Sequence, residues 1–400
     1  MEKTGLIVSE VFMRTDFDVI VCGGGIAGVA AALAAAREGA DVCLLEKEYC
    51  LGGLATLGLI IVYLPLCDGD GVKMSGGIAE ELAKASLKYG PGTYPEVWKN
   101  EATVEERAGC RYEIRYQPAP MMLVCEEKLL DAGVTIYYDA RLASARCDGE
   151  NVAGVTIDTK RGPVELTAKA FIDATGDADL CFFAGEKTAE FAHNSRTGWY
   201  FSFDGTTGGQ GKLDLHLNSD GYYPEPAADK PHYNGLDVDD ISRHMIDMHR
   251  FILDDTAKRR EKNPGHFPLI IPAFHGLRTT RRLATSMEFS EDFHERVWFE
   301  DAIGMIGNWK HSHLRYSIPY RCCKGETFRN LYAAGRCVSA DRSGWDLTRV
   351  IPTCAVTGEA VGVAAAMQAK TGCEPAVDAL QAKLMEKGVL LDKSLFTRTL

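Results

Sequence analysis

The first fifty residues alternate between apolar runs and glycine-rich breaks. The apolar run 17–22 predicts a strand, because a short apolar run bounded by turn residues is typical of a buried strand. An Ala-rich stretch over 29–37 predicts a helix that ends near Gly39, and 41–45 predicts a second strand. A strand, a helix and a strand in this order indicate a parallel sheet of the α/β class.

The pattern continues with two helices and a group of short strands. Apolar residues at helical spacing predict helices over 77–89 and 118–132, the second with prolines in its first turn. Alternating apolar and polar positions then predict a small strand group, followed by a buried strand that ends in a tight turn. These strands cover 134–138, 142–147, 152–159, 164–166 and 170–173.

The sequence pattern changes between residues 185 and 325, where aromatic, His and Arg residues cluster and the alternation of strands and helices is weaker. The strand–helix pattern returns with a strand over 330–333. A long helix follows over about 353–370, with Pro352 at or near its first position.

These elements predict an α/β protein with a Rossmann-like domain, in which helices flank a parallel sheet that carries a small antiparallel strand group. That domain is discontinuous and consists of 1–184 and 326–400. The intervening 185–325 forms a second, α+β domain that faces the substrate as a cap.

The composition is that of a globular protein of 400 residues, 46% hydrophobic and 25% charged. Because no run reaches the roughly 18 apolar residues of a membrane span, and no secretory signal is visible, we expect no membrane association. Thirteen cysteines without a C-x-x-C pair indicate reduced thiols in a cytoplasmic protein and no metal site. The net charge of −12 argues against a nucleic-acid partner.

The break after the first strand has the pattern G-x-G-x-x-G, formed by Gly23, Gly25 and Gly28. In such a turn the first glycine permits a tight bend, the second lets the backbone approach a pyrophosphate, and the third lets the helix pack closely. Glu46 follows Gly28 by 18 residues, at the end of the next strand, where a carboxylate can accept hydrogen bonds from a ribose. The motif predicts a dinucleotide with an unphosphorylated ribose; the alternative is a turn that serves only close packing.

Four segments resemble one family of flavoproteins: 18–28, 46–53, 172–177, and 330–335 with the following 349–362. The sequence is similar to the FAD-dependent oxidoreductases of the glutathione-reductase-like, two-dinucleotide-binding-domain superfamily, related to the fumarate reductase and succinate dehydrogenase flavoproteins. The resemblance implies FAD as the cofactor. It places the Ala-Thr-Gly turn near the adenine-side phosphates, and the last strand–glycine–helix unit around the ribityl chain and the flavin ring.

The motif and the resemblance together indicate a set of cofactor-binding residues along the chain. These are Gly23, Gly25, Ile26, Ala27, Gly28, Glu46, Lys47, Gly52, Gly53, Leu54, Ala55, Thr56, Ala174, Thr175, Gly176, Asp177, Gly335, Arg336, Pro352 and Thr353. A helix that begins at Pro352 would bring free N–H groups and a partial positive charge to the flavin pyrimidine edge, where they would stabilise the anionic reduced form. The alternative is that this helix only packs on the sheet.

The sequence departs from parts of the superfamily in three respects. No Cys-x4-Cys dithiol follows Gly53, so disulfide-reductase chemistry lacks its redox pair. No second strand, glycine turn and helix unit is visible, so we expect no built-in NAD(P)H domain and a separate electron donor or acceptor. No Trp-x-Trp-x-Ile-Pro halogenase signature is present.

The candidate catalytic residues are Arg278, His275 and Arg349. Arg278 belongs to a basic group with Arg281 and Arg282, and its guanidinium suits a carboxylate or carbonyl; surface pairing to acids such as Glu288 is the alternative. His275 could act as a base, although most histidines have structural roles. Arg349 could face flavin or substrate, or pair with Asp341 or Asp346.

We therefore expect an FAD-dependent oxidoreductase that transfers a hydride between a small polar organic substrate and flavin N5. The alternatives are a flavin monooxygenase that uses external NAD(P)H, and a non-catalytic FAD-binding partner subunit. The expected partners are the substrate and the electron donor or acceptor. A homo-oligomer and a covalently attached flavin both stay open.

Overall fold

A computed structural model describes residues 13–191, 193–205, 211–219, 230–294 and 297–400. The first 12 residues of the predicted Rossmann-like domain lie outside this part of the chain. The strands in chain order are β1 (Asp16–Cys22), β2 (Val42–Leu45), β3 (Val62–Tyr63), β4 (Ile114–Arg115), β5 (Thr135–Tyr137), β6 (Arg141–Asp148), β7 (Asn151–Thr159), β8 (Gly162–Asp173), β9 (Thr188–Glu190), β10 (Thr197–Gly205), β11 (Gly211–Ser219), β12 (His266–Ile270), β13 (Arg281–Leu283), β14 (Val297–Trp298), β15 (Ala302–Gly307), β16 (Arg315–Pro319), β17 (Leu331–Ala333) and β18 (Arg398–Thr399). The α-helices are α1 (Ile26–Arg37), α2 (Gly77–Ala85), α3 (Val104–Arg107), α4 (Pro118–Asp131), α5 (Asp179–Ala184), α6 (Val238–Lys262), α7 (Arg342–Thr348), α8 (Ile351–Thr371) and α9 (Val377–Glu386).

The main sheet has a parallel part and an antiparallel part that meet in one strand. Its parallel part has the order β5-β2-β1-β8-β17, so the C-terminal strand β17 completes a sheet begun by the N-terminal strands. The first half of β8 pairs antiparallel with β7, which pairs with β6. The prediction of an α/β fold with a parallel sheet and a small antiparallel strand group is confirmed.

Two details of the strand prediction were wrong. The runs 164–166 and 170–173 are not separate strands, because β8 extends without a break over Gly162–Asp173. The run 134–138 contains β5, which pairs parallel with β2 and so belongs to the parallel part of the sheet.

Helices α1 and α8 pack against each other and against the middle of the parallel sheet. Glycines in α8 permit this approach. A Cβ atom on Gly358 would lie 2.2 Å from the carbonyl oxygen of Ala27, and one on Gly362 would lie 2.3 Å from that of Ala31. The small residues of α8 therefore serve helix packing, which brings the first turn of α8 near the first turn of α1.

The middle of the chain folds differently. Strands β11, β10 and β12 form a three-stranded antiparallel sheet, and α6 packs against β10 and β12. This mixture of antiparallel strands and a long helix has the character expected for 185–325. The boundaries at 184 and 326 stay a prediction.

Within the described ranges, no single helix is long and apolar enough to cross a membrane, although α7 and α8, which meet at 85°, would pass such a test as a pair. Across the same residues, no group of three or more His, Cys, Asp or Glu side chains is placed to hold a metal ion. All thirteen cysteines are free thiols.

Candidate cofactor and active site

The glycine turn connects β1 to α1. Gly23 has φ +103°, a left-handed conformation that other residues rarely adopt. A Cβ atom on Gly28 would lie 1.8 Å from the carbonyl oxygen of Gly23, so this position is closed to any side chain. A Cβ atom on Gly25 would meet nothing within 4 Å, which leaves open space in front of the first turn of α1. No side chain caps this helix end, so its N–H groups can bind an anion in that space.

Glu46 supports the glycine turn from the end of β2. Its carboxylate accepts hydrogen bonds from the backbone N–H of Gly24 at 2.7 Å and of Glu48 at 2.8 Å. Burial raises the pKa of this carboxyl, and the two N–H donors oppose the shift. Glu46 also lines the cleft described below, so it both orders the turn and faces the predicted ribose position.

One cleft, of about 1110 Å³ including open solvent, joins both ends of the chain. It is lined by the glycine turn, the loop after β2, the start of β6, the turn after β8, and the junction of α7 and α8. The predicted residues that line it are Gly23, Gly25, Ile26, Ala27, Glu46, Lys47, Gly52, Gly53, Leu54, Ala55, Ala174, Thr175, Gly176, Arg336 and Arg349. A single cleft with an open glycine cradle and an uncapped helix end fits a dinucleotide.

Eight of the predicted site residues do not line the cleft and lie behind its wall: Gly28, Thr56, Asp177, His275, Arg278, Gly335, Pro352 and Thr353. Thr56 is fully buried, and its hydroxyl donates to the carbonyl oxygen of Leu51 at 2.7 Å. Gly335 is left-handed with φ +66°, and a Cβ atom there would lie 2.8 Å from Cβ of Ala27. These residues shape the wall from behind.

Asp177 organises the wall near Arg336. Its carboxylate accepts from the Thr280 hydroxyl at 2.6 Å and from Nη2 of Arg336 at 3.3 Å. Burial is the largest single contribution to the pKa of Asp177 and acts to raise it. The Arg336 charge and the Thr280 hydrogen bond act together in the opposite direction and outweigh burial, so the pKa is lowered. Arg336 also donates to the carbonyl oxygen of Arg278 at 2.7 Å, so it ties the turn after β8 to the middle of the chain.

The first turn of α8 faces the cleft through Ile351 and Cys354, whereas Pro352 and Thr353 are buried. The helix begins at Ile351, so Pro352 occupies its second position. Its N-cap residue, Val350, makes no side-chain cap. The N–H groups and partial positive charge of this helix end are therefore directed to the same cleft as those of α1.

Arg349 lines the cleft between α7 and α8 and is held from behind. Its Nε donates to Asp346 at 2.8 Å, and Nη2 also contacts this fully buried carboxylate. The guanidinium carbon lies 5.3 Å from the ring centre of Trp345 and 5.5 Å from that of Trp309. The pair with Asp346 is thus present, and it fixes a side chain that lines the cleft; contact of Arg349 with flavin or substrate stays a prediction.

His275 and the basic group at 278–282 lie in the middle of the chain. His275 stacks on Phe274, with 4.7 Å between ring centres, and Phe274 lines the cleft. Burial lowers the pKa of His275 to about 4, so the ring is neutral at pH 7. Arg282 pairs with Glu288 at 2.8 Å, as the alternative interpretation of this basic group expects.

Several cleft residues were missed by sequence reasoning: Cys22, Leu45, Glu48, Cys50, Leu57, Ala140, Arg141, Leu142, Asp179, Phe274, Ala334, Ile351 and Cys354. Residues 140–142 follow β5 at the carboxyl edge of the parallel sheet, a position that could have suggested them. Asp179 lies next to a predicted turn; burial raises its pKa to about 6, and Asp177 and Asp173 add to the shift. Phe274 carries no sequence signal.

The fold and the cleft define an α/β dinucleotide-binding protein. The sequence matches the family described as FAD dependent oxidoreductase over residues 18–198 and 240–385, and the chain belongs to this family. Membership of this family indicates an FAD-binding oxidoreductase.

Two curated relatives are similar to part of the chain. The digeranylgeranylglycerophospholipid reductase 1 of Methanopyrus kandleri is 28% identical over 168 residues, which cover 40% of each chain. The digeranylgeranylglycerophospholipid reductase of Haloferax volcanii is 28% identical over 202 residues, 44% of this chain and 41% of that protein. The match thus spans less than half the length of these relatives.

A similar fold is found in a solved structure from Thermoplasma acidophilum, described as geranylgeranyl bacteriochlorophyll reductase-like. It covers 94% of this chain and 84% of that chain, with a TM-score of 0.47 and 14% sequence identity. At this identity the likeness concerns the fold alone.

Proposed function

We propose that the protein transfers a hydride between a polar group of an organic substrate and N5 of its FAD. The substrate would enter between the Rossmann-like part and the 185–325 segment. The observation that carries the proposal is the single cleft shared by the glycine turn at Gly25, the start of α8 and Arg349. The bound flavin supplies the redox chemistry, and the chain supplies orientation and electrostatics.

The start of α8 would stabilise negative charge in the cleft. Its N–H groups have no intrahelical acceptor, and no side chain caps them. Together they present a partial positive charge of about half an elementary charge. This charge is fixed by the packing of α8 on α1, so it costs no reorganisation during the reaction.

Arg349 would orient a carboxylate or carbonyl of the substrate. Asp346 engages Nε and Nη2, while Nη1 takes no part in that pair. The two flanking tryptophan rings hold the guanidinium plane. A rigid cation of this kind is suited to a planar anionic or carbonyl group.

His275 and Arg278 would act from the substrate side. His275 is neutral near pH 7 and a weak base, so its ring can accept a hydrogen bond, and it stacks directly on the cleft residue Phe274. Arg278 is half-buried in the segment that Arg336 ties to the wall. We assign both to the substrate end of the site, where, unlike Arg349, they lie behind the residues that line the cleft.

The proposal also covers the superfamily of the chain, the direction of the reaction and the source of the electrons. The motifs at Gly23 and Thr175 support kinship with the glutathione-reductase-like superfamily and with fumarate reductase flavoproteins. The reductase names of both curated relatives support the reducing direction. A separate donor in the cytoplasm would then supply the electrons.

The test is an anaerobic reduction experiment on the purified yellow protein. A panel of metabolites and external reductants is added, and bleaching of the flavin absorbance is followed. We expect one reductant to bleach the flavin and one acceptor to restore it without oxygen. The Arg349→Gln variant should retain FAD but turn over about 100-fold more slowly, while the Arg321→Gln variant, altered at an exposed pair with Asp301, should be unaffected.

The alternatives give different results. Substrate-stimulated oxygen uptake driven by NAD(P)H would replace the proposal with a flavin monooxygenase. A protein that binds FAD but exchanges electrons with nothing in the panel, and binds another protein stably, would be a partner subunit.

A further inference from the structure

The three-stranded sheet of the middle segment has one apolar face, here called the apolar sheet face. In an antiparallel sheet, directly opposite residues share a face and alternate residues of one strand do too. Each of three aromatic residues on β10 is opposite a leucine on β11, and two of them are opposite apolar residues of β12. The face consists of Trp199, Phe201, Phe203, Leu213, Leu215, Leu217, Phe267 and Ile270.

The opposite face of this sheet is polar, and it is the face that helix α6 covers. Tyr200 donates its hydroxyl to Asp255 on α6. Arg260 of the same helix donates to the carbonyl oxygen of His266 at 2.8 Å. The usual arrangement, in which a helix covers the apolar side of a sheet, is therefore reversed here.

The apolar sheet face is only partly covered. Phe201 is 2% exposed and belongs to the main hydrophobic core, against which Trp199 and Leu215 also pack. The outer positions remain exposed, at 44% for Leu213, 42% for Leu217, 42% for Phe267 and 43% for Ile270. A contiguous exposed apolar patch of this kind is more often a binding surface than a surface without function.

A short segment after β12 links the apolar sheet face to the cofactor cleft. Phe274 lines the cleft and follows the last residue of β12 by four positions. The N–H of Ala273 donates to the carbonyl oxygen of Leu57, another cleft residue, at 3.2 Å. Gly276 packs on the first residue of β10, since a Cβ atom there would lie 1.9 Å from the carbonyl oxygen of Thr197. The same short segment thus joins the cleft to the end of the face that carries Trp199.

We propose that the apolar sheet face binds a long hydrocarbon chain of the substrate, whose polar, reacting end lies in the cleft. The inference rests on the proposed function and adds a substrate class to it. From Trp199 to Phe203 the face extends over about 14 Å at the usual rise per residue of an antiparallel strand. The indole Nε1 of Trp199 is buried and has no hydrogen-bond partner among the described residues, so it can donate to an oxygen at the start of the chain. A small-molecule occupant is favoured over a second copy or a membrane because the segment 273–276 contacts both the cleft and the first residue of β10, at the end of the face that carries Trp199.

The test compares two carboxylates of different chain length on the FAD-loaded protein. Dodecanoate, kept below its micelle concentration, and butyrate are titrated by calorimetry. We expect dodecanoate to bind at least tenfold more tightly, with a negative heat-capacity change that butyrate lacks. Leu217→Asp and Leu213→Asp should each weaken dodecanoate binding at least tenfold. Leu253→Asp, on the exposed side of α6, is the matched control and should leave binding unchanged.

Several outcomes would overturn the inference. Equal affinity for the two carboxylates would do so, as would unchanged dodecanoate binding by both sheet variants. If Leu217→Asp abolished co-sedimentation with phosphatidylglycerol vesicles but not dodecanoate binding, the surface would dock on a membrane; if it abolished a dimer instead, the surface would be an interface between copies. Flavin absorbance and circular dichroism of each variant exclude misfolding. A protein that binds FAD and passes the anaerobic reduction test, yet ignores dodecanoate, would lose this inference and keep the proposed function.

Discussion

Gly25 and Gly28 belong to one motif but have different surroundings. A side chain at Gly28 would collide with the carbonyl oxygen of Gly23 at 1.8 Å, whether or not a cofactor is bound. Gly25 has φ −65° and open space in front of it, so any residue could adopt its backbone conformation. The requirement for glycine at position 28 is therefore imposed by the protein's own packing, and the requirement at position 25 by a ligand.

This difference predicts opposite behaviour of two alanine variants. Gly25→Ala should leave the thermal stability of the FAD-free protein unchanged or slightly higher, because alanine restricts the unfolded chain at a compatible φ. It should nevertheless bind FAD at least about tenfold more weakly, since the methyl group blocks backbone approach to the pyrophosphate. Gly28→Ala should lower the unfolding free energy by about 1–3 kcal/mol through overpacking. Thermal unfolding of the FAD-free proteins and fluorescence titration with FAD measure both effects. Equal FAD affinity of Gly25→Ala and wild type would contradict the role of Gly25 in binding the pyrophosphate.

At the scale of elements, α8 carries a buried carboxylate into the start of α2. Glu359 is 2% exposed, and its Oε2 accepts from the backbone N–H of Ile78 at 2.8 Å. Burial raises the pKa of Glu359 to about 8, which the Ile78 hydrogen bond only partly offsets. The folded protein therefore holds a proton on Glu359 at a pH where the unfolded chain, with an ordinary Glu pKa near 4.5, has released it.

The sign of the resulting pH effect follows from proton binding. Between pH 5 and 8 the folded state binds more protons at Glu359 than the unfolded state, so this residue lowers stability as the pH rises, by up to about 1.4 kcal/mol per pH unit. Glu359→Gln keeps an oxygen acceptor for Ile78 but cannot ionise. We expect the variant to be more stable than wild type by a few kcal/mol at pH 8 and by about 1 kcal/mol or less at pH 5. Urea unfolding at the two pH values checks this, and a difference that does not change with pH would refute it.

The sequence pattern predicted most elements but divided β8 in two, for a physical reason. Its first half pairs antiparallel with β7 and alternates between exposed and less exposed positions, whereas its last four residues, 170–173, lie inside the parallel sheet and are all buried. One strand thus has two hydrophobic periods, and each period alone indicates a separate strand. The nucleotide turn could be predicted because its chemistry is local in sequence. The burial of the Thr56 side chain and the position of Phe274 in the cleft wall could not be predicted, because they depend on contacts between distant segments.

At the scale of the whole molecule, the cleft depends on the meeting of the two ends of the chain. Strand β17 completes the sheet that β1 begins, and α8 packs on α1 through glycines that admit no side chain. This packing sets two uncapped helix N-termini on one cleft, at Ile26 and at Ile351. Proteins bind extended dinucleotides with such fixed dipoles because the backbone groups are already oriented.

Hydrogen exchange tests this arrangement directly. The N–H groups of Ile351 and Thr353 lie in the first turn of α8, where they have no intrahelical acceptor, so they should exchange faster in the FAD-free protein than the amides of the following turns of α8. On FAD binding, they should slow together with the amides of 25–28 by at least about tenfold, because bound FAD covers these amides and stabilises the folded state by RT ln(1 + L/Kd), where L is the free FAD concentration. Helix α9 does not line the cleft and serves as the internal control. Protection at the glycine turn with none at the start of α8 would show that the flavin lies away from this helix end. The proposed stabilisation of negative charge by α8 would then be wrong, and the family assignment would be unaffected.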